Sequence, residues 1–225
     1  MVPGGWQGGW VFDAVADELR RRGHQVEAVT LAGLELDGPA DVERPANLDV
    51  HIDQVAEVVE RRDGTPLALC GHSYAGLVIA GVADRLGDRL DHLVFIDAYV
   101  PEDGDSCWSL TSDLFREMFV AGARADGRWV RVPDGMDPRA RAHPLASFVQ
   151  SIRLNGNPWP RLGRTYISGG EWPGSPFLAL TERLRNDPAW QVHDIPVGHN
   201  IARRAPEPLA TILNTLPPPA EPAPR

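Results

Sequence analysis

The string Gly71-His72-Ser73-Tyr74-Ala75-Gly76 sets a serine between small residues, directly after the apolar run Leu67–Cys70 and directly before the helix-forming stretch Tyr74–Leu86. A serine hydroxyl is a weak nucleophile until a neighbouring base takes its proton. Projecting it into a cleft requires a sharp, strained turn from strand to helix, where the residues two before and two after the serine pass too close for bulk. Gly71 and Ala75 fill those places, and Ser73 is the candidate nucleophile. The string alone is weak evidence, and its strand-turn-helix context carries the reading.

A base for Ser73 is expected near the C-terminal end, in the loop after the last strand. His199, in Val197-Gly198-His199-Asn200, follows the apolar run ending at Ile195 and opens the final helix. The other six histidines read as structural or solvated: His24 in a turn, His51 on an exposed helix start, His72 behind the turn, His92 at a strand start, His143 in an insertion and His193 within the last strand.

The elements that must position these groups alternate. Val11–Arg22, Asp49–Arg62, Tyr74–Leu86, a stretch from about Pro176 to Arg185 and one from Ile201 to Leu213 carry helical periodicity; Gly23 stops the first. Gln25–Leu31, Leu67–Cys70, His92–Ile96, Thr165–Ile167 and Gln191–Ile195 read as strands, and His-Leu-Val-Phe-Ile at 92–96 leaves no room for polar alternation, as in a sheet covered on both faces. Any opening strand at Met1 and Val2 is vestigial. With right-handed crossovers this is an α/β protein with a doubly wound, mostly parallel sheet of about six strands. From Glu102 to Arg161 the rhythm fails, so residues 1–101 and 162–216 are expected as a core, 102–161 as a helical insertion, and the Pro-rich tail Pro217–Arg225 as disordered.

Composition removes several classes of function. The 225 residues carry a formal charge of −9, which disfavours nucleic acid and anionic membranes. All 22 basic residues are Arg, so Schiff-base chemistry and a phosphate-loop lysine are excluded. Cys70 and Cys107 form no metal-binding or redox pair. No apolar run is long enough to span a bilayer, no leader is visible, and a cytoplasmic location with reduced thiols is expected. The expected partner is a small-molecule substrate, with neither cofactor nor metal; a homodimer is compatible with these data.

Taken in order, Pro-Gly-Gly-Trp-Gln-Gly-Gly-Trp at 3–10, Gly-His-Ser-Tyr-Ala-Gly at 71–76, Val-Phe-Ile-Asp-Ala-Tyr-Val-Pro-Glu-Asp-Gly at 94–104, Gly-His-Asn at 198–200 and Ala-Pro-Glu-Pro-Leu-Ala at 205–210 span nearly the full length. In these blocks the chain resembles α/β hydrolases of the small esterase and hydroxynitrile-lyase type, bacterial members in particular. The resemblance implies a third triad member in the loop after Ile167, where only Glu171 is available and is offset by about one position. Asp97, ending the strand His92–Ile96, offers another answer: carboxyl ends of neighbouring parallel strands lie about 5 Å apart, so an acid displaced by one strand still reaches the same imidazole. Asp97 is preferred, with Glu171 as the alternative.

The resemblance also points to the backbone N–H groups of Gly5 and Tyr74 as an oxyanion hole. A phosphate-binding reading of the glycine loop fails, because the spacing lacks G-x-G-x-x-G and no Lys follows. Trp108, Phe115, Phe119 and Trp159 of the insertion, with Trp6, Tyr74 and Trp172, are expected to wall an apolar pocket. Arg116, Arg124, Arg128, Arg131, Arg139 and Arg141 are expected to face solvent. Hydroxynitrile lyases of the family place a Thr and a Lys where this chain has Gly4 and Asn200, which argues against cyanide release. The implied activity is hydrolysis of a carboxylic ester or lactone. The rival classes are a cyclase, cofactor-free oxygenase or lyase on the same scaffold, and a ligand receptor with vestigial turnover.

Overall fold

A computed structural model describes residues 1–37, 45–62, 66–155 and 161–216. Its centre is a four-stranded, wholly parallel sheet in the order β1 (Ala68–His72), β2 (His92–Ile96), β5 (Gly163–Gly169), β6 (Gln191–Ile195). A second, antiparallel ribbon pairs β3 (Trp129–Val130) with β4 (His143–Pro144). The helices are α1 (Asp13–Arg21), α2 (Leu48–Glu60), α3 (Ala75–Leu86), α4 (Cys107–Leu110), α5 (Asp113–Gly122), α6 (Leu145–Val149), α7 (Leu178–Arg185), α8 (Ile201–Arg204) and α9 (Pro206–Asn214).

The alternation of side chains along β2 explains its unbroken apolar sequence. Leu93 and Phe95 join the cluster built by α2 and α3, through Ile52, Val55, Leu77 and Val78. Val94 and Ile96 point the other way, into Phe12, Val15, Ile201 and Leu209 from the helices on the opposite face. Both faces are therefore dry, and strand order and register follow from burying them. Phe119, Val130, Phe148 and Ile152 of the 102–161 segment join the first cluster.

Three expectations need correction. The sheet has four strands among the described residues, not about six. Gln25–Leu31 forms no ladder, because its neighbour is the short stretch Met1–Val2: Met1 N donates to Glu27 O (2.7 Å) and Val29 N to Met1 O (3.0 Å), while Val2 makes a single parallel bridge to Gly71. The stretch Ile201–Leu213 is two helices rather than one. Pro206 has no N–H to continue the first and disfavours helical geometry at Ala205, whose φ of −143° marks the break.

The third correction is His51, expected at an exposed helix start and found fully buried. Its Nδ1 lies 2.9 Å from the Tyr74 hydroxyl and its Nε2 3.0 Å from Ala32 O. A carbonyl only accepts, so Nε2 carries the proton and Nδ1 accepts from Tyr74. Burial pushes His51 down to about 4, and burial also drives His72 and His143 well below the ordinary imidazole range. The tail Pro217–Arg225 lies outside the described residues. No helix among the described residues is long and apolar enough to cross a membrane.

Two measurements check this packing. A Cβ on Gly76 would overlap the Tyr99 carbonyl in the loop after β2. Ala is ordinarily better than Gly in a helix by about 1 kcal/mol, yet Gly76→Ala is expected to lower stability by about 3 kcal/mol or more in urea unfolding, since backbone has to move; a stabilised variant would refute the close approach. The buried imidazoles set the second outcome. Between pH 6.5 and 4 the unfolded chain binds a proton at His51 that the native state refuses, so stability falls as pH falls, with His51 alone withdrawing roughly 2 kcal/mol by pH 5. A urea midpoint unchanged between pH 7 and pH 5 contradicts the burial.

Candidate active site

The parallel register delivers the chemistry to one edge. His72 and Ile96 are paired across β1 and β2, and Ile96 pairs with Ile167 on β5. The next residues, Ser73 and Asp97, each donate one more backbone bond across the sheet: Ser73 N to Ile96 O (3.2 Å) and Asp97 N to Ile167 O (2.7 Å). Both then turn out of strand geometry with positive φ, 55° at Ser73 and 43° at Asp97. Trp6, at 63°, is the only other non-glycine residue of that kind among the described residues. Such backbone costs on the order of 1–3 kcal/mol per residue and persists where its surroundings impose it.

The crowding expected around Ser73 is present. A Cβ on Gly71 would sit 2.8 Å from Ala75 O, and one on Gly4 would sit 2.9 Å from Ser73 Cβ. Any side chain at either position would push the serine or the glycine loop away.

His199 lies between the two turned-out residues. Its Nε2 is 3.0 Å from Ser73 Oγ and its Nδ1 is 2.7 Å from Asp97 Oδ2. Asp97 is 1% exposed, and its other oxygen accepts the Gly169 N–H at 3.2 Å. The carboxylate accepts from Nδ1–H, which leaves Nε2 as the lone-pair nitrogen facing the serine. Such an arrangement can draw the hydroxyl proton onto the imidazole while the buried carboxylate stabilises the resulting cation. Glu171 is not part of it: the residue is exposed, and its backbone N–H is bonded to Val197 O (3.1 Å).

Further contacts seat the imidazole. His72 Nε2 is 3.0 Å from the His199 carbonyl, with the two rings 4.5 Å apart. Asn200 Oδ1 accepts from Gln7 Nε2 (2.8 Å), tying the histidine loop to the glycine loop. Trp172 lies 4.4 Å from the His199 ring and Phe177 5.7 Å.

Neither the Gly5 nor the Tyr74 N–H donates to a protein group among the described residues. From Trp172 a chain of rings runs to Phe115 (5.9 Å), Phe119 (6.4 Å) and Trp6 (6.1 Å). Tyr74 contributes its backbone to this region, but its ring is locked among His51, His143 and Phe148. Trp108 packs on the core and makes no ring contact with this wall among the described residues. Trp159 lies outside the described residues. Arg124, Arg128, Arg131 and Arg139 are exposed, Arg116 is bonded to Trp108 O, Ser109 O and Asp113, and Arg141 to nearby carbonyls.

Sequence reasoning missed Phe148 and Phe177 as neighbours of the site, and His143. His143 and Phe148 lie well inside the 102–161 insertion, and nothing in the local pattern marked either of them, or Phe177, as a neighbour of the site.

Comparison with known proteins agrees with this architecture. The model of the "Alpha/beta hydrolase family" matches residues 1–212. A carbendazim hydrolyzing esterase from a Nocardioides species is 31% identical over 237 residues, covering 96% of this chain and 98% of that protein. An (S)-hydroxynitrile lyase from Manihot esculenta is 30% identical over 96 residues, 42% of this chain and 37% of that one. Among solved structures, an extracellular alpha/beta-hydrolase from a Paenibacillus species matches with a TM-score of 0.79 at 20% identity, covering 96% of each chain. On the family match, the full-length relative and the shared fold, the chain belongs to the alpha/beta hydrolase family.

Proposed function

We propose that this protein is a serine hydrolase that cleaves a carboxylic ester or lactone of a small, largely hydrophobic substrate through an acyl-enzyme. The observation that carries the reading is the His199 imidazole held between Ser73 Oγ at 3.0 Å and Asp97 Oδ2 at 2.7 Å. In the proposed reaction His199 takes the Ser73 proton as the oxygen attacks the ester carbonyl. The carbonyl oxygen gains charge, held by the Gly5 and Tyr74 N–H groups, and the C–O bond to the alcohol breaks as His199 returns the proton to it. Water, deprotonated by the same imidazole, then releases the acid. Each preorganised donor at the oxyanion is worth on the order of a hundredfold or more in rate.

The ring wall of Trp6, Phe115, Phe119 and Trp172 supports an uncharged, apolar substrate, and the 102–161 segment in this reading roofs the pocket. The name of the full-length relative, a carbendazim hydrolyzing esterase, supports ester-type hydrolysis and makes carbendazim a reasonable compound to assay. The lyase relative raises cyanohydrin cleavage, but a departing cyanide needs a cation beside His199, and the neighbouring side chain here is Asn200, already engaged with Gln7.

The assignment predicts that Ser73→Ala lowers release of p-nitrophenol from short and medium acyl esters by about a thousandfold or more, and that a fluorophosphonate probe labels the wild type at Ser73 but not the variant. Asp97→Asn is expected to cost on the order of 10³–10⁴-fold in kcat, because an amide favours the wrong imidazole tautomer, while Glu171→Gln stays within about twofold of wild type. Serine-independent turnover would overturn the nucleophile; a dead Glu171→Gln beside an active Asp97→Asn would move the acid to Glu171.

A further inference from the structure

All three hydrogen-bonding groups of Trp6 are taken by the segment that carries the small ribbon. Its N–H donates to His143 Nδ1 (3.2 Å), its carbonyl accepts from Arg141 N–H (2.9 Å), and its indole N–H donates to Val130 O (3.0 Å). Trp6 directly follows Gly5 and holds the left-handed φ of 63°. A bulky residue stays there only when several contacts impose it.

His143 is the one side chain among those three contacts, and it is fully buried. Its protonation follows from its neighbours. The Ser147 hydroxyl donates its single proton to Pro144 O (2.8 Å), so toward His143 Nε2, 2.9 Å away, it accepts. Nε2 therefore carries the proton, and Nδ1 is a bare acceptor aimed at the Trp6 N–H. The ring is fixed in turn by stacking on Phe148, with centroids 4.1 Å apart and planes 9° from parallel. Phe148 Cζ would stand 3.0 Å from a Cβ at Gly5, and Tyr74 meets His143 edge-on at 5.0 Å. His143 thus packs against Tyr74 directly and against Gly5 through Phe148.

We propose that His143 is a positioning residue: by accepting the Trp6 N–H at Nδ1 it fixes the peptide next to Gly5 and so aims the Gly5 N–H at the oxyanion. The inference rests on the reading of Gly5 and Tyr74 as the oxyanion donors in ester hydrolysis. It assigns to the 102–161 segment a part in setting the rate as well as in covering the substrate. A donor held in place before reaction stabilises developing charge without reorganisation, so loosening it weakens transition-state binding more than substrate binding.

The test compares kcat and KM on a p-nitrophenyl ester for wild type, His143→Phe, His143→Asn and Ser147→Ala. Phe keeps the aromatic stack but has no acceptor, and is expected to lower kcat about 10- to 100-fold with KM within about threefold. Asn presents an amide oxygen near the place of Nδ1 and is expected to recover most of that loss. Ser147→Ala leaves the imidazole but removes the acceptor for Nε2–H, freeing the other tautomer, and is expected to lower kcat severalfold. Affinity for a boronic acid, which mimics the tetrahedral state, falls in step with kcat, while affinity for the product acid holds.

A folded His143→Phe with wild-type kcat, or one whose loss lies wholly in KM, overturns the positioning role. If His143→Phe does not fold, an unchanged kcat in Ser147→Ala does the same. Fluorophosphonate labelling of wild-type Ser73 separates this failure from that of the parent reading: labelled protein with indifferent His143 variants sinks the positioning role alone, and unlabelled, inactive wild type sinks both.

Discussion

The site exists because two strand-end residues are bent into left-handed backbone and kept there by the sheet. Ser73 and Asp97 each pay for a positive φ with one bond that continues the parallel ladder, Ser73 N to Ile96 O and Asp97 N to Ile167 O. Neither bond is strong enough alone, at about 1 kcal/mol net, to hold a conformation that costs 1–3. The remainder comes from the strands behind them. Behind Asp97, Leu93, Val94, Phe95 and Ile96 are fully buried on alternate faces, and behind Ser73 the end of β1, Leu69 to His72, is buried as well, so relaxing either turn would shift a strand held in a dry core. The burial of the two adjacent strands β1 and β2 is thus what allows a hydroxyl and a carboxylate to be presented, one strand apart, to a single imidazole.

Much of this was legible in the residues. The apolar run His92–Ile96 coincides with β2, and the small residues at 71, 75 and 76 mark a place where backbones nearly touch. Asp97 is preferred over Glu171 because the ends of neighbouring parallel strands lie within reach of one imidazole, and the structure puts Asp97, not Glu171, against His199. The misreadings have physical causes. Gln25–Leu31 has the alternation of a strand, but alternation specifies a face and not a neighbour, and among the described residues its strand-type backbone bonds go to Met1 alone. His51 was placed outside because it is polar. On α2 it shares a stripe with Leu48, Ile52, Val55 and Val59 at helical spacing, whereas apolar Val50 is 43% exposed. Position on the helix outweighed residue type, since both imidazole nitrogens find partners inside.

The aromatic side of the site was legible only in part, because ring contacts bring together residues distant in sequence. Phe115 and Trp172 were expected from their proximity to the insertion and the acid loop. Phe177 was not, although its ring lies 5.7 Å from His199. Its place depends on where α7 begins, and periodicity locates helix starts poorly: the stretch expected from Pro176 is helical from Leu178.

Electrostatics around His199 complete the argument for the proposed acyl transfer. When the imidazole takes the serine proton in that reaction it becomes a cation against the rings of Trp172 and Phe177. A second cation at His72, whose ring is 4.5 Å away, would oppose that step. Burial keeps His72 neutral, with the His199 charge pushing it further in the same direction, and it meets His199 as a hydrogen-bond donor to the carbonyl rather than as a competing charge. Asp97 is then the acidic side chain within hydrogen-bond reach of the ring. The same desolvation that makes His51, His72 and His143 liabilities in acid keeps further positive charge away from the His199–Asp97 contact on which the proposed acyl transfer relies.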